Sequence, residues 1–319
     1  MLSVLSIGVI ITVLIIAFPL GKALGESVIA VTPVGEFPHA LEFNPSNNYT
    51  YVANRDSGTV SVIDSTNNTV IKNITVGGSP GPLKFNPSNN YTYVVNSVSN
   101  NISVIDSSTN MVTNGVNVGS NPVALEFNPY NSNIYVANAI SNTVSIIDSS
   151  TNVVTNDVDV ETSPIAVKFN PSNNNIYVAN RDSGTVSVID STNNTVIGDV
   201  NVETSPIALE FNPSNNNIYV ANRDSGTVSV IDSTNNTLLE NVVVGTEPIA
   251  LEFNPSNNNI YVANIVSNSV SMIESMNNTV ADTVNVSSLP IALVFNPSNG
   301  GVYVGGTLTG TEGLVSVIG

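Results

Sequence analysis

The chain has 319 residues, with 7 Lys and Arg against 24 Asp and Glu and a formal net charge of −17. So acidic a polypeptide repels phosphate backbones and anionic lipid surfaces, which removes nucleic acid from the partner classes to consider. It has no Cys and a single histidine, His39, so it offers no thiolate nucleophile, no thiolate metal site and no histidine cluster for zinc, copper or haem.

Residues 2–20 carry no charge and are long enough to span or nearly span a bilayer. Ala23-Leu24-Gly25 then supplies a small-x-small cleavage pattern just before the polar chain begins. Residues 1–25 read as a signal peptide cut after Gly25, with an uncleaved anchor as the alternative because no basic residue precedes the apolar run. Both readings leave residues 1–25 as the only membrane contact and place residues 26–319 outside, either secreted or held at the cell surface.

The next element is residues 28–34 (VIAVTPV), a β-branched segment that lies 42 residues before a similar one at 70–76. From there the sequence is periodic. Phe-Asn-Pro begins at Phe43, Phe85, Phe127, Phe169, Phe211, Phe253 and Phe295, every 42 residues without insertion or deletion. Tyr-Val keeps the same register at Tyr51, Tyr93, Tyr135, Tyr177, Tyr219, Tyr261 and Tyr303. In the fifth copy PIALEF, IYVAN, TVSVID and TLLENVVV are separated by NPSNNN, RDSG and STNN, so β-branched strands alternate with turn formers. Four short strands in about 42 residues fit a propeller blade. The expectation is an all-β fold, a seven-bladed β-propeller of four-stranded antiparallel blades, forming one domain over residues 26–319.

Blades that stack on both sides explain apolar residues on both strand faces, and the repeated Phe and Tyr are expected in the inter-blade core. The seventh copy stops at Gly319, directly after its third strand. Residues 28–34 are therefore expected to pair with residues 315–318, completing blade seven and removing an open edge.

The Phe-Asn-Pro turns, the Tyr-Val-x-Asn strands from Tyr51 to Tyr261, and the Val-Ile-Asp ends at Asp64, Asp106, Asp190 and Asp232 resemble the YVTN-type β-propeller repeat family of prokaryotic, mainly archaeal, cell surfaces. Ala stands at the family's Thr position in five copies, with Val95 in the second and Gly305 in the seventh. The resemblance implies a surface location and the repeat architecture, and it carries no catalytic residues.

Four sets of residues are candidates for function. The residues before each Phe, namely Glu42, Lys84, Glu126, Lys168, Glu210 and Glu252, alternate in sign through the first five copies. On the innermost strand they form a ring lining the channel, with opposite charges on adjacent blades expected to pair. Arg55, Arg181 and Arg223 each open an Arg-Asp-Ser-Gly turn, and the same copies start with Glu36, Glu161 and Glu203, so three same-blade ion pairs are expected. Copies four and five are adjacent, which makes Glu161, Arg181, Asp182, Glu203, Arg223 and Asp224 a candidate partner-binding face.

The third strands end in Asp64, Asp106, Asp148, Asp190 and Asp232, with Glu274 in the sixth copy. These turns lack the spacing of an EF-hand loop, so the carboxylates are read as caps of backbone amides, with calcium as the second reading and no other cofactor. Nine Asn-x-Ser/Thr sequons stand at Asn48, Asn67, Asn73, Asn90, Asn101, Asn193, Asn235, Asn277 and Asn285, and six of them fall in loops that share one face, which a glycan would cover. His39 replaces the Ile of later copies and is expected to pack within its strand. The function expected is a non-catalytic binding or scaffold module for surface proteins or glycans. The alternative is a divalent-cation-dependent hydrolase or lactonase-like enzyme with its site at the axial channel.

Overall fold

Each repeat folds as four short strands because its β-branched runs are interrupted by residues that accept left-handed backbone. In the fifth copy Pro206–Asn212, Asn217–Asn222, Thr227–Asp232 and Thr237–Val243 pair in sequence order, each antiparallel to the last. The reversals fall on Asn216 (φ 59°), Gly226 (φ 67°) and Asn236 (φ 57°), residue types that tolerate this region. In the computed structural model, which describes residues 30–286, 289–307 and 313–319, the pattern recurs in the first six copies. Six sheets have four strands, and the seventh has Leu289–Phe295, Val302–Thr307 and Gly313–Ile318. The fold is that of a seven-bladed all-β propeller, with no helix among the described residues.

Contacts group the chain into two compact units, Met1–Val116 and Asn117–Gly319. In the first, blade one packs on blade two, with Tyr51, Val60 and Val62 against Leu83, Val94 and Ile105. In the second, blades three to seven repeat the arrangement, as where Tyr177, Val186 and Val188 of blade four meet Leu209, Phe211 and Ile218 of blade five. First strands of successive blades lie side by side, whereas fourth strands scarcely meet, so within each unit the blades fan outward from their first strands.

The repeated Tyr is buried, as expected, and its hydroxyl has a task that periodicity alone does not disclose. Tyr177 donates to Asn236 Oδ1 (2.6 Å) and Tyr219 to Asn278 Oδ1 (2.9 Å), each in the next blade. The acceptors are the left-handed Asn of the next blade's last turn. Asn173 Nδ2 adds a second link, to the carbonyl of Ser233 at 2.7 Å. A buried hydroxyl without a partner costs about 1–3 kcal/mol, so Tyr and Asn positions 59 residues apart depend on each other.

Two positions in the first blade depart from expectation. Phe169, Phe211, Phe253 and Phe295 each pack in a cluster with the blade that precedes them in the chain, but Phe43 is 50% exposed. His39, expected to be packed, is likewise exposed. Within its unit the first blade packs on blade two, and neither side chain takes part in that cluster. As for the expected closing strand, residues 28 and 29 lie outside the described residues and residues 30–34 hold no strand. Thr32 instead hydrogen-bonds through its hydroxyl to the Asn68 carbonyl at 2.7 Å, and Pro33 has no N–H for a ladder. Blade seven accordingly has three strands among the described residues.

Candidate binding face

Within a blade, the turn between strands two and three and the loop leading into strand one emerge together. Backbone bonds tie them, Arg181 N to Ser163 O at 2.9 Å and Arg223 N to Ser205 O at 2.9 Å, with Val244 N returning to Gly226 O at 3.0 Å. The accepting residues, Ser163 (φ 61°), Ser205 (φ 61°) and Gly226 (φ 67°), are all left-handed. This pairing holds the arginines at the rim of their blades.

The arginines do not take the expected partners. Arg55 pairs with Asp56 (3.1 Å) and lies 4.0 Å over the Phe37 ring. Arg181 forms a two-pronged contact with Asp182 at 2.7 and 3.2 Å. Arg223 reaches across to Glu247 in the following loop, both nitrogens meeting Oε2 at 2.6 and 2.9 Å. Glu203 accepts instead from Asn241 Nδ2 at 2.9 Å.

The reason is register. Counted by the repeat, Glu161 and Glu203 fall at the position of Gly35, Glu36 falls one residue later, and Glu247 falls one later still. Carboxylates that look equivalent by composition therefore stand at three different places in the loop. Asp182 is held below the usual carboxylate range by the Arg181 guanidinium beside it. Arg181 is in turn raised by Asp182, with a smaller contribution from Asp224 of the next blade, so the turns of blades four and five share one field. Between Arg223–Gly226 and Val243–Glu247 lies a cleft of about 410 Å³.

The charged first-strand positions are half-buried from Glu42 to Glu252. Lys168 and Glu210 pair at 2.7 Å. Burial opposes the charge on Lys168, and the Glu210 carboxylate outweighs it, holding the amine above its ordinary pKa. Glu42 and Glu252 accept the backbone N–H groups of Phe85 and Phe295, both at 2.9 Å. A longer-range role as N–H acceptor was not legible in the alternating signs. Glu252 is pushed up by burial, against the Phe295 N–H, and by the like charge of Glu210.

At the opposite end of the strands, Asp64, Asp106, Asp148, Asp190 and Asp232 each accept the backbone N–H two residues on, at 2.8 Å. This is the amide-capping geometry. Bonds from Ser108 and Ser150 hold Asp106 and Asp148 below their ordinary pKa. Among the described residues no group of three or more His, Cys, Asp or Glu gathers to hold a metal. Asn48, Asn67, Asn193, Asn235 and Asn277 are exposed at this end, and Asn90 is half-buried there. Asn73 and Asn285 lie on fourth strands and Asn101 begins a third strand. In the turns Asn67, Asn193 and Asn235, the side-chain carbonyl accepts the hydroxyl of the sequon Thr at 2.6–2.7 Å.

Fold and face together define a class: a repeat β-propeller with a charged rim on blades four to six. The pattern of a family described as YNCE-like beta-propeller, a YVTN-like propeller family, matches residues 79–190. A search of curated proteins finds no match. Among solved structures, the chain is similar to Kuenenia stuttgartiensis hydrazine synthase with a TM-score of 0.71 and 16% identity, over 93% of this chain and 99% of that one. It is also similar to dihydro-heme d1 dehydrogenase NirN in complex with DHE, with a TM-score of 0.73 and 15% identity, over 87% of this chain and 62% of that one. At these identities the likeness concerns the fold.

Proposed function

We propose that the chain is a non-catalytic binding or scaffold module, secreted or held at the cell surface, that engages protein or glycan partners. The observation that carries this reading is the division of polar groups. Repeated Asn, Ser and Tyr are committed to bonds within and between blades, as in Asn222 to Ser229 at 2.7 Å and Tyr177 to Asn236 at 2.6 Å. The rim of blades four to six instead presents exposed charge around a cleft, with the Arg223 side chain 47% accessible. Residues 1–25 serve this reading as signal peptide or anchor, and sequons such as Asn193 and Asn235 would place glycans on the opposite end, leaving the Arg rim to partners.

The test is glycan-array and pull-down binding with residues 26–319, beside the variant Arg181→Ala with Arg223→Ala. Selective binding that the double variant changes is the expected result. Binding unchanged by the variant would remove the rim from the proposal. Divalent-cation-dependent turnover of lactones or esters would replace it with the hydrolase alternative.

A further inference from the structure

The Arg-Asp turns have apolar counterparts in other copies. At the Asp182 and Asp224 position stand Ile140 in blade three, 70% exposed, and Val266 in blade six, 52% exposed. In the second unit, four successive turns thus run Ala139-Ile140, Arg181-Asp182, Arg223-Asp224 and Ile265-Val266. Ile265 N donates to Glu247 O at 3.0 Å, which sets the Arg223 and Glu247 pair beside the apolar turn of blade six. Val243 lines the cleft and is 75% exposed.

Two charged turns are therefore flanked on each side by aliphatic tips. Arg181 and Arg223 already contact Asp182 and Glu247, and Asp224, Glu161 and Glu203 add further negative charge to the same loops. The rim is acidic in sum and apolar at its ends.

We infer that this rim binds a basic polypeptide segment, one whose Lys or Arg side chains meet Asp182, Asp224 and Glu247 while neighbouring apolar side chains cover Val243, Val266 and Ile140. This rests on the binding-module reading and names the partner's chemistry. Exposed aliphatic groups beside charge match the apolar core and polar rim of a protein interface. These four turns and the cleft lining carry no aromatic ring on which a sugar would stack. A second copy is excluded as the occupant by its own charge, 7 basic against 24 acidic residues.

A random linear peptide library panned against residues 26–319 tests this. The expected selection is Lys- or Arg-rich peptides with adjacent Leu, Ile or Val. Their affinity should fall about tenfold or more on Asp224→Asn with Glu247→Gln, and similarly on Val243→Asn with Val266→Asn. It should also fall as salt rises from about 0.05 to about 0.5 M. Thr234→Glu, on the opposite end, should leave it unchanged, and unaltered melting of each variant shows that the blades remain folded. Enrichment of acidic or neutral sequences, failure to enrich any, or binding insensitive to the rim variants would overturn the inference. Array glycans released by the same variants would overturn it while leaving the binding-module reading intact.

Discussion

Blades five and seven contain the same tetrapeptide, Val-Ser-Val-Ile, in their third strands and treat it differently. Residues 228–231 are fully buried, whereas Val315 is 45% and Val317 43% exposed. The pairing to the second strand is equivalent, Tyr219 opposite Val230 and Tyr303 opposite Val317. Blade five, however, has a fourth strand, Thr237–Val243, and Val228 and Val230 are capped by Leu251, Ile260 and Val262 of blade six. Blade seven has no fourth strand among the described residues. Burial of this strand is conferred by what lies on it, not by its own residues.

The polar wiring differs in parallel. In blade five Asn222 Nδ2 donates to Ser229 Oγ (2.7 Å), which donates to Asn241 Oδ1 on the fourth strand (2.6 Å). In blade seven Gly306 stands where Asn222 does, and Gly319 where Asp232 caps the turn. The last repeat lacks both of these polar side chains and keeps Ser316 at the position of Ser229.

The sharpest way to break this comparison is to truncate matched residues. Ile231→Ala should destabilise the protein by about 2–5 kcal/mol in urea denaturation, and Ile318→Ala by under about 1 kcal/mol. Equal costs would mean that blade seven is covered in solution as blade five is.

Ser229→Ala should cost less, about 1–3 kcal/mol, because it strips one bond from the buried Asn222 and one from Asn241. The matched Ser316→Ala should lie within about 0.5 kcal/mol of wild type. The measurement is the shift in urea midpoint at unchanged slope.

The smallest effect concerns how blade six holds blade seven through Glu252 and the Phe295 N–H. Because burial raises the folded pKa of Glu252 above its ordinary 4.5, the folded state binds its proton more tightly than the unfolded state. That contribution is fully present below the ordinary value and is lost as pH rises through the raised one. Glu252→Gln keeps an oxygen for the Phe295 N–H and removes the titration. Its melting temperature should therefore gain on wild type as pH rises across this window, and parallel curves would contradict the burial of Glu252.

The repeat, its four strands and the inter-blade placement of Tyr follow from local pattern, since hydrophobic alternation and turn residues act over a few neighbours. Asn and Gly at the turns likewise declared themselves, because left-handed backbone favours those residues, and Asp did so as the acceptor of turn amides. Partner choice among side chains did not. Glu161, Glu203, Glu36 and Glu247 differ by one or two places in the repeat, and only the folded loop shows that Arg223 meets Glu247 while Glu203 meets Asn241. The exposure of Phe43, His39, Val315 and Val317 was also decided by tertiary structure. A residue's burial depends on what packs over it, and Val315 and Val317 repeat the sequence of Val228 and Val230 without the side chains that cover those two.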